Sequence, residues 1–148
     1  MNNGIKQIKS GIYEKGEINF DDILQSIKNN PNIREAGAIL SFTGIVRNVS
    51  NEGKLVKSLK INAYDDLAKE TINEISNEIK KKFGIIDVKI IHLKGDFEIS
   101  EDLVYVIVAS AHREEGFNAL REAVEKYKKE LSIWKREDYV NGSSKWIY

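Results

Sequence analysis

Four groups of residues carry side chains suited to chemistry. Ser110-Ala111-His112-Arg113 follow an apolar run and precede a helical pattern. A strand end feeding a helix N-terminus offers free amides and a favourable dipole to an anion. Imidazole and guanidinium add directional donors suited to phosphate or carboxylate. The same residues equally fit a histidine satisfied by the backbone and an arginine paired at the surface with Glu114 or Glu115. The second group is Lys126-Tyr127-Lys128-Lys129. With Phe117 at zero and about 100° per residue, the apolar stripe of that helix runs from about 280° to 0°. Lys128 falls at about 20°, on the border of the stripe, and Arg121 at about 40° on the same edge. Lys126 and Lys129, at about 180° and 120°, point to solvent. An amine bordering a buried face is partly desolvated, which lowers its pKa and favours nucleophilic or proton-transfer work. The plain alternative is snorkelling, with the stem covering apolar surface and the ammonium in water.

The third group, Ile133-Trp134-Lys135-Arg136-Glu137, puts an aromatic beside two cations on a short strand. Alternation sends Trp134 and Lys135 to opposite faces, so this is either a pocket wall or a core tryptophan flanked by solvated charge. The fourth is Ser41-Phe42-Thr43-Gly44-Ile45-Val46-Arg47-Asn48. Gly44 within a strand signals a bulge or a close backbone approach, and Arg47 stands where the strand emerges. No P-loop, dinucleotide fingerprint or metal-ligand spacing occurs. The two histidines, His92 and His112, fall on different elements. Residue chemistry alone therefore leads to an anion-binding pocket with one or two lysines.

The elements that must position these groups mix strands and helices in an α+β manner. A first helix is predicted over Asp21–Lys28, closed by the turn around Pro31, the single proline. Gly37–Arg47 reads as a strand with both faces largely buried, Asn48–Lys54 as a polar loop, and Leu59–Ala63 as a paired strand. Leu67, Thr71, Ile72, Ile75, Ile79 and Phe83 form a helical stripe over Asp66–Phe83, which Lys80-Lys81-Lys82 and Gly84 terminate. Strands follow at Asp87–Leu93 and Leu103–Ser110, the second apolar enough to be central. A long helix over Glu114–Leu131 buries Phe117, Leu120, Val124, Tyr127 and Leu131. Two short strands joined around Asn141-Gly142 end the chain.

Composition narrows the function classes. A chain of 148 residues, 41% hydrophobic and 31% charged, suits one domain, residues 1–148, with a true core. Twenty-three basic residues balance twenty-three acidic ones, which argues against a nucleic-acid partner. The absence of cysteine excludes disulfides, thiolate metal sites and a cysteine nucleophile. No apolar run reaches membrane-spanning length, and Met1–Lys6 lack the apolar core of a leader, so a cytoplasmic location is expected.

Together the groups resemble one family. Gly37–Asn48 resembles the early signature of the molybdopterin synthase large subunit. Ala109–Arg113 with Phe117 resembles its central signature. Lys128, Lys135 within Ile-Trp-Lys-Arg-Glu, Gly142 and Trp146 resemble its C-terminal signature. The likeness covers about Glu35 to Trp146. It implies an α/β-hammerhead-like domain with a mixed or antiparallel sheet, two long helices and a C-terminal hairpin. It also implies a sulfurtransferase that converts cyclic pyranopterin monophosphate to molybdopterin. The sulfur donor is the C-terminal thiocarboxylate on the Gly-Gly tail of a small ubiquitin-like subunit, so no cofactor, metal or cysteine is required. Two large subunits pair centrally, as a homodimer within a heterotetramer. Carried over by motif, Lys128 is the leading catalytic residue and Lys135 its companion. Both bind substrate along with Arg47, His112 and Arg113. Lys128 either attacks the spent acyl group or donates a proton to the departing oxygen.

The chain departs from the family pattern at Ala63-Tyr64-Asp65-Asp66, where His-Tyr-Pro is common, at Leu93, where arginine is common, and at Ser132, where proline is common. The sequence also stops at Tyr148, short of an arginine that some members supply to a neighbouring subunit. Two other readings stand beside this one. The first is a ferredoxin-like regulatory domain that binds a small ligand. The second is an interaction module that uses the Trp134 and Trp146 region as a sheet edge.

Overall fold

A computed structural model describes residues 7–147. The hexapeptide read for a leader lies outside them. The order is β1 (Gly11–Glu14), α1 (Phe20–Lys28), β2 (Ala38–Ile45), β3 (Val56–Ala63), α2 (Asp65–Phe83), β4 (Asp87–Glu98), β5 (Asp102–Ser110), α3 (Arg113–Glu130), β6 (Ile133–Tyr139) and β7 (Ser144–Ile147). Helix α1 starts at a reciprocal cap. Asp22 N–H donates to Asn19 Oδ1 at 2.9 Å, and Asn19 N–H donates to Asp22 Oδ2 at 3.1 Å. Helix α2 stops where Gly84 adopts a left-handed φ of 59°, as the sequence predicts.

The strands form one sheet in the order β2-β5-β4-β3-β6-β7, every neighbour antiparallel, with β1 added parallel to β4. The α+β class expected from the sequence is therefore correct. Strand β4 ties the sheet together. Asp87–His92 pair with β5, and after Gly95 the strand pairs with β3 through Glu98. Gly95 makes the transfer at φ 132°, a conformation glycine tolerates. The expected hairpin forms β6 and β7 around Gly142, with β6 also paired to β3.

Two apolar cores lie on opposite faces, and β5 feeds both by alternation. Val104, Val106 and Val108 pack with Ile72, Ile75 and Ile79 of α2 and with Ala119, Ala123 and Tyr127 of α3. Tyr105, Ile107 and Ala109 pack with Ile23 and Ile27 of α1.

Three expectations need correction. Strand β2 is buried on one face only. It is a sheet edge, and Ile39 (38% exposed), Ser41, Thr43 and Ile45 (50% exposed) look outward while Leu40 and Phe42 face inward. Phe117 is not a core residue but 60% exposed. Helix α3 seats on the sheet through Gly116, Ala119 and Ala123, small residues that let the backbone come close, and through Tyr127 at its last turn. A Cβ at Gly116 would lie 2.5 Å from both Leu40 Cδ1 and Ser110 Oγ. Leu67 of α2 is likewise exposed, and Ala68 takes the buried place beside it.

Candidate active site

Strand β2 leaves the sheet through a register shift between Gly44 and Ile45. Both signals read from Gly44 are present, because a Cβ there would stand 2.7 Å from Val104 Cγ1. The emerging segment is pinned to the β4–β5 turn. Val46 N–H donates to the Glu101 carbonyl at 3.1 Å, and Ser100 N–H donates to the Val46 carbonyl at 2.9 Å. Arg47 follows in an exposed position, where its Nη2 donates to Asn51 Oδ1 at 2.8 Å. The loop beyond folds back as a small turn with a Val49–Leu55 bridge.

Opposite this segment stand the last turn of α3 and the start of β6. Together they enclose a cleft of about 470 Å³. Arg47, Lys128 and Lys135 supply its cations, Phe42 and Tyr127 its aromatic wall, and His92 a neutral polar group. Glu137 is the acidic member, and it accepts a 2.9 Å hydrogen bond from the Tyr139 hydroxyl. Strand alternation directs Ile133, Lys135 and Glu137 into the cleft. It turns Trp134 to the other face, edge-on to Tyr64 at 5.0 Å between ring centroids.

The two lysines differ in environment. Lys128 is exposed at the rim, its Nζ 5.9 Å from the centre of the Phe42 ring. Lys135 is the desolvated one. Burial holds its ammonium below the usual lysine range, and the Lys128 charge pushes it lower while Glu137 pulls it back. His92 is only 3% exposed, and its Nδ1 lies 2.9 Å from the Leu93 carbonyl. Burial lowers its pKa to about 4, the backbone contact opposes that, and the Lys135 charge adds to it, so the ring is neutral at pH 7. Burial also raises the Tyr127 phenol. No cluster of three or more metal-ligating side chains occurs among the described residues.

A family model described as MoaE protein matches residues 13–130. The molybdopterin synthase catalytic subunit of Thermoplasma volcanium is 37% identical over 135 residues, which is 91% of this chain and 94% of that one. The chain belongs to the MoaE family. Among solved structures, molybdopterin synthase from Staphylococcus aureus superposes with a TM-score of 0.82 at 30% identity, covering 97% of this chain and 98% of that one. A Helicobacter pylori complex of subunits 1 and 2 of molybdopterin-converting factor shares the fold, with a TM-score of 0.70, 22% identity and coverage of 97% and 90%. These likenesses favour the catalytic reading over the ferredoxin-like regulatory one.

Of the five residues singled out from the sequence, the MoaE fold brings Arg47, Lys128 and Lys135 to one cleft. His112 and Arg113 are elsewhere. They follow β5 where Ser110 pairs with Ala38, whereas Arg47 lies past the Ile45 end of β2. Seven residue steps of β2 separate the two ends, about 23 Å at 3.3 Å per residue. His112 begins α3, with its backbone N–H donating to Glu115 Oε1 at 2.5 Å. Arg113 is exposed, with no ion pair among the described residues. Lys128 is exposed and does not border the buried face of α3 as the helical wheel predicts. Because the small residues set the buried phase of α3, Lys126 is the half-buried lysine, paired with Glu78 at 2.6 Å. Lys128 reaches the cleft because α3 ends beside it. His92 escaped sequence reading, since a lone histidine in an apolar strand carries no local signal of a cleft.

Proposed function

We propose that this chain transfers sulfur to cyclic pyranopterin monophosphate, forming the dithiolene of molybdopterin. The sulfur comes from the thiocarboxylated Gly-Gly tail of a small ubiquitin-like subunit. The observation that carries the reading is the convergence of Lys128, Lys135 and Arg47 on one cleft of a MoaE-family fold. Phosphate and thiocarboxylate are both anions, and three cations on a partly apolar wall suit them through charge-assisted hydrogen bonds. Desolvation fits Lys135 for amine or proton-transfer chemistry, while Lys128 at the mouth meets the incoming tail. The Helicobacter pylori relative, a complex of two subunits, supports a protein partner of this kind.

His112 and Arg113 reach a substrate held in this cleft only from a second copy of the chain. Their proposed part in substrate binding therefore goes with a central homodimer inside a heterotetramer. No described helix is long and apolar enough to cross a membrane, in keeping with the cytoplasmic location proposed here. The deciding experiment incubates the chain with a thiocarboxylated small subunit and cyclic pyranopterin monophosphate and follows dithiolene product. Product from wild type and a large loss in folded Lys128→Ala are expected. No product from wild type with a competent partner would remove the sulfur-transfer reading.

A further inference from the structure

His92 combines four properties that a purely structural histidine does not need together. It lies in β4 on the face toward α3, within the cleft wall that also holds Lys135. Its ring packs against Tyr127 at 5.9 Å between centroids, which fixes its plane. Its Nδ1 faces the Leu93 carbonyl at 2.9 Å. A carbonyl can only accept, so Nδ1 carries the proton of the neutral ring and Nε2 is left with a lone pair. Among the described residues nothing hydrogen-bonds Nε2. His92 lines the cleft, and with Nδ1 held by the backbone, Nε2 is the ring nitrogen left for a ligand.

The other polar groups of the wall set the need for such an atom. Arg47, Lys128 and Lys135 are donors only, suited to phosphate or carboxylate oxygens. The other acceptors of the wall are Glu137, one oxygen of which already takes the Tyr139 hydroxyl, Asn51, whose amide oxygen is engaged by Arg47, and the Tyr127 hydroxyl. His92 is therefore the neutral one without a proton of its own to place at the accepting atom. A hydroxyl offers both an oxygen to accept and a proton to give, and donors alone satisfy half of it. His92 and Lys135 line the same cleft without hydrogen-bonding each other.

We propose that His92 is a substrate-contacting residue, its Nε2 accepting a hydrogen bond from a hydroxyl of the bound pterin phosphate while the Lys135 ammonium donates to the oxygen of that hydroxyl. The assignment rests on the sulfur-transfer reading for the identity of the ligand. Burial keeps the imidazole neutral throughout the working pH range, so the acceptor is always present. The pair discriminates: an anionic oxygen satisfies Lys135 but has no proton for His92. An unfilled acceptor in a desolvated wall costs binding.

Two measurements test this. Sulfur transfer is followed for wild type, His92→Phe and His92→Gln, each checked for folding by circular dichroism. His92→Phe fills the space without an acceptor and lowers kcat/KM by about ten- to a hundredfold, the loss expected for one unmade buried hydrogen bond. His92→Gln restores an acceptor and recovers part of the loss. In parallel, wild type labelled with 15N in its imidazoles is titrated with cyclic pyranopterin monophosphate, and the Nε2 resonance of His92 moves on binding. Full activity in folded His92→Phe would overturn the proposal, as would an Nε2 resonance unmoved at saturation. A His92→Gln as poor as His92→Phe would mark the ring as structural only. The labelled wild type answers the question even if a variant fails to fold. Wild type that binds the pterin phosphate, shifting Nε2, yet makes no product would overturn the sulfur-transfer reading and leave the contact standing.

Discussion

Lys135 and Lys128 line one cleft, but the solvent-stripped ammonium is that of Lys135, and the charge on Lys128 pushes it further down. A change of charge at the rim is therefore felt in the wall. In Lys128→Gln, which removes the charge and keeps a polar side chain, the Lys135 pKa rises. A 13C-dimethyl-lysine NMR titration of both proteins reads this directly. An unchanged Lys135 titration would mean that burial alone sets its value.

Two neighbouring lysines of α3 separate structure from chemistry. Lys126 pairs with Glu78 across α2 and α3, an ion pair at the surface that solvent screens. Lys126→Ala keeps full sulfur transfer with a small fall in denaturation midpoint. Lys128→Ala, two residues on, lowers turnover by about a hundredfold or more, the scale of a lost acid–base or nucleophilic group. Equal turnover in the two variants would remove the distinction.

His92 makes stability depend on pH. Its folded pKa of about 4 lies below the ordinary 6.5, so the unfolded chain takes up a proton that the folded chain refuses. The stability is present above pH 6.5 and is lost as pH falls toward 4, reaching about 3 kcal/mol at about 1.4 kcal/mol per pKa unit. Urea denaturation of wild type and His92→Gln between these limits gives the contribution as the difference of the two slopes. Parallel slopes would show that the buried ring does not titrate in this way.

Gly37 is required by close approach, not by an unusual φ. A Cβ there would collide with the Ala111 carbonyl oxygen, a backbone atom that cannot swing aside. Gly37 N–H also donates to the Ser110 carbonyl at 2.9 Å, so the strand cannot slide away. Gly37→Ala is expected to cost about 1–3 kcal/mol, as over-packing does. Chemical denaturation measures it, and a neutral result would mean that the β2 end yields.

The near-continuous apolar stretch of β5, the cationic end of α2 at Gly84, the Asn141-Gly142 hairpin and the special status of Gly44 were all legible in the sequence. Each rests on interactions within a few residues, where periodicity and turn chemistry decide the outcome. The Lys128 and Lys135 pair was marked by motif resemblance, and alternation along β6 correctly sent Lys135 and Trp134 to opposite faces. Which lysine loses its water was not legible. Lys135 lines a cleft whose far wall comes from β2 and β4, elements distant in the chain, and burial is a property of what arrives from elsewhere. The same reason explains Phe117 and Lys126. A wheel drawn on large apolar residues missed that Gly116, Ala119 and Ala123 set the contact face, because close backbone packing depends on the partner surface. His92 entered the cleft, and His112 and Arg113 fell at the opposite end of β2 from Arg47, through strand register, which pairs residues far apart in sequence and appears only once the sheet is assembled.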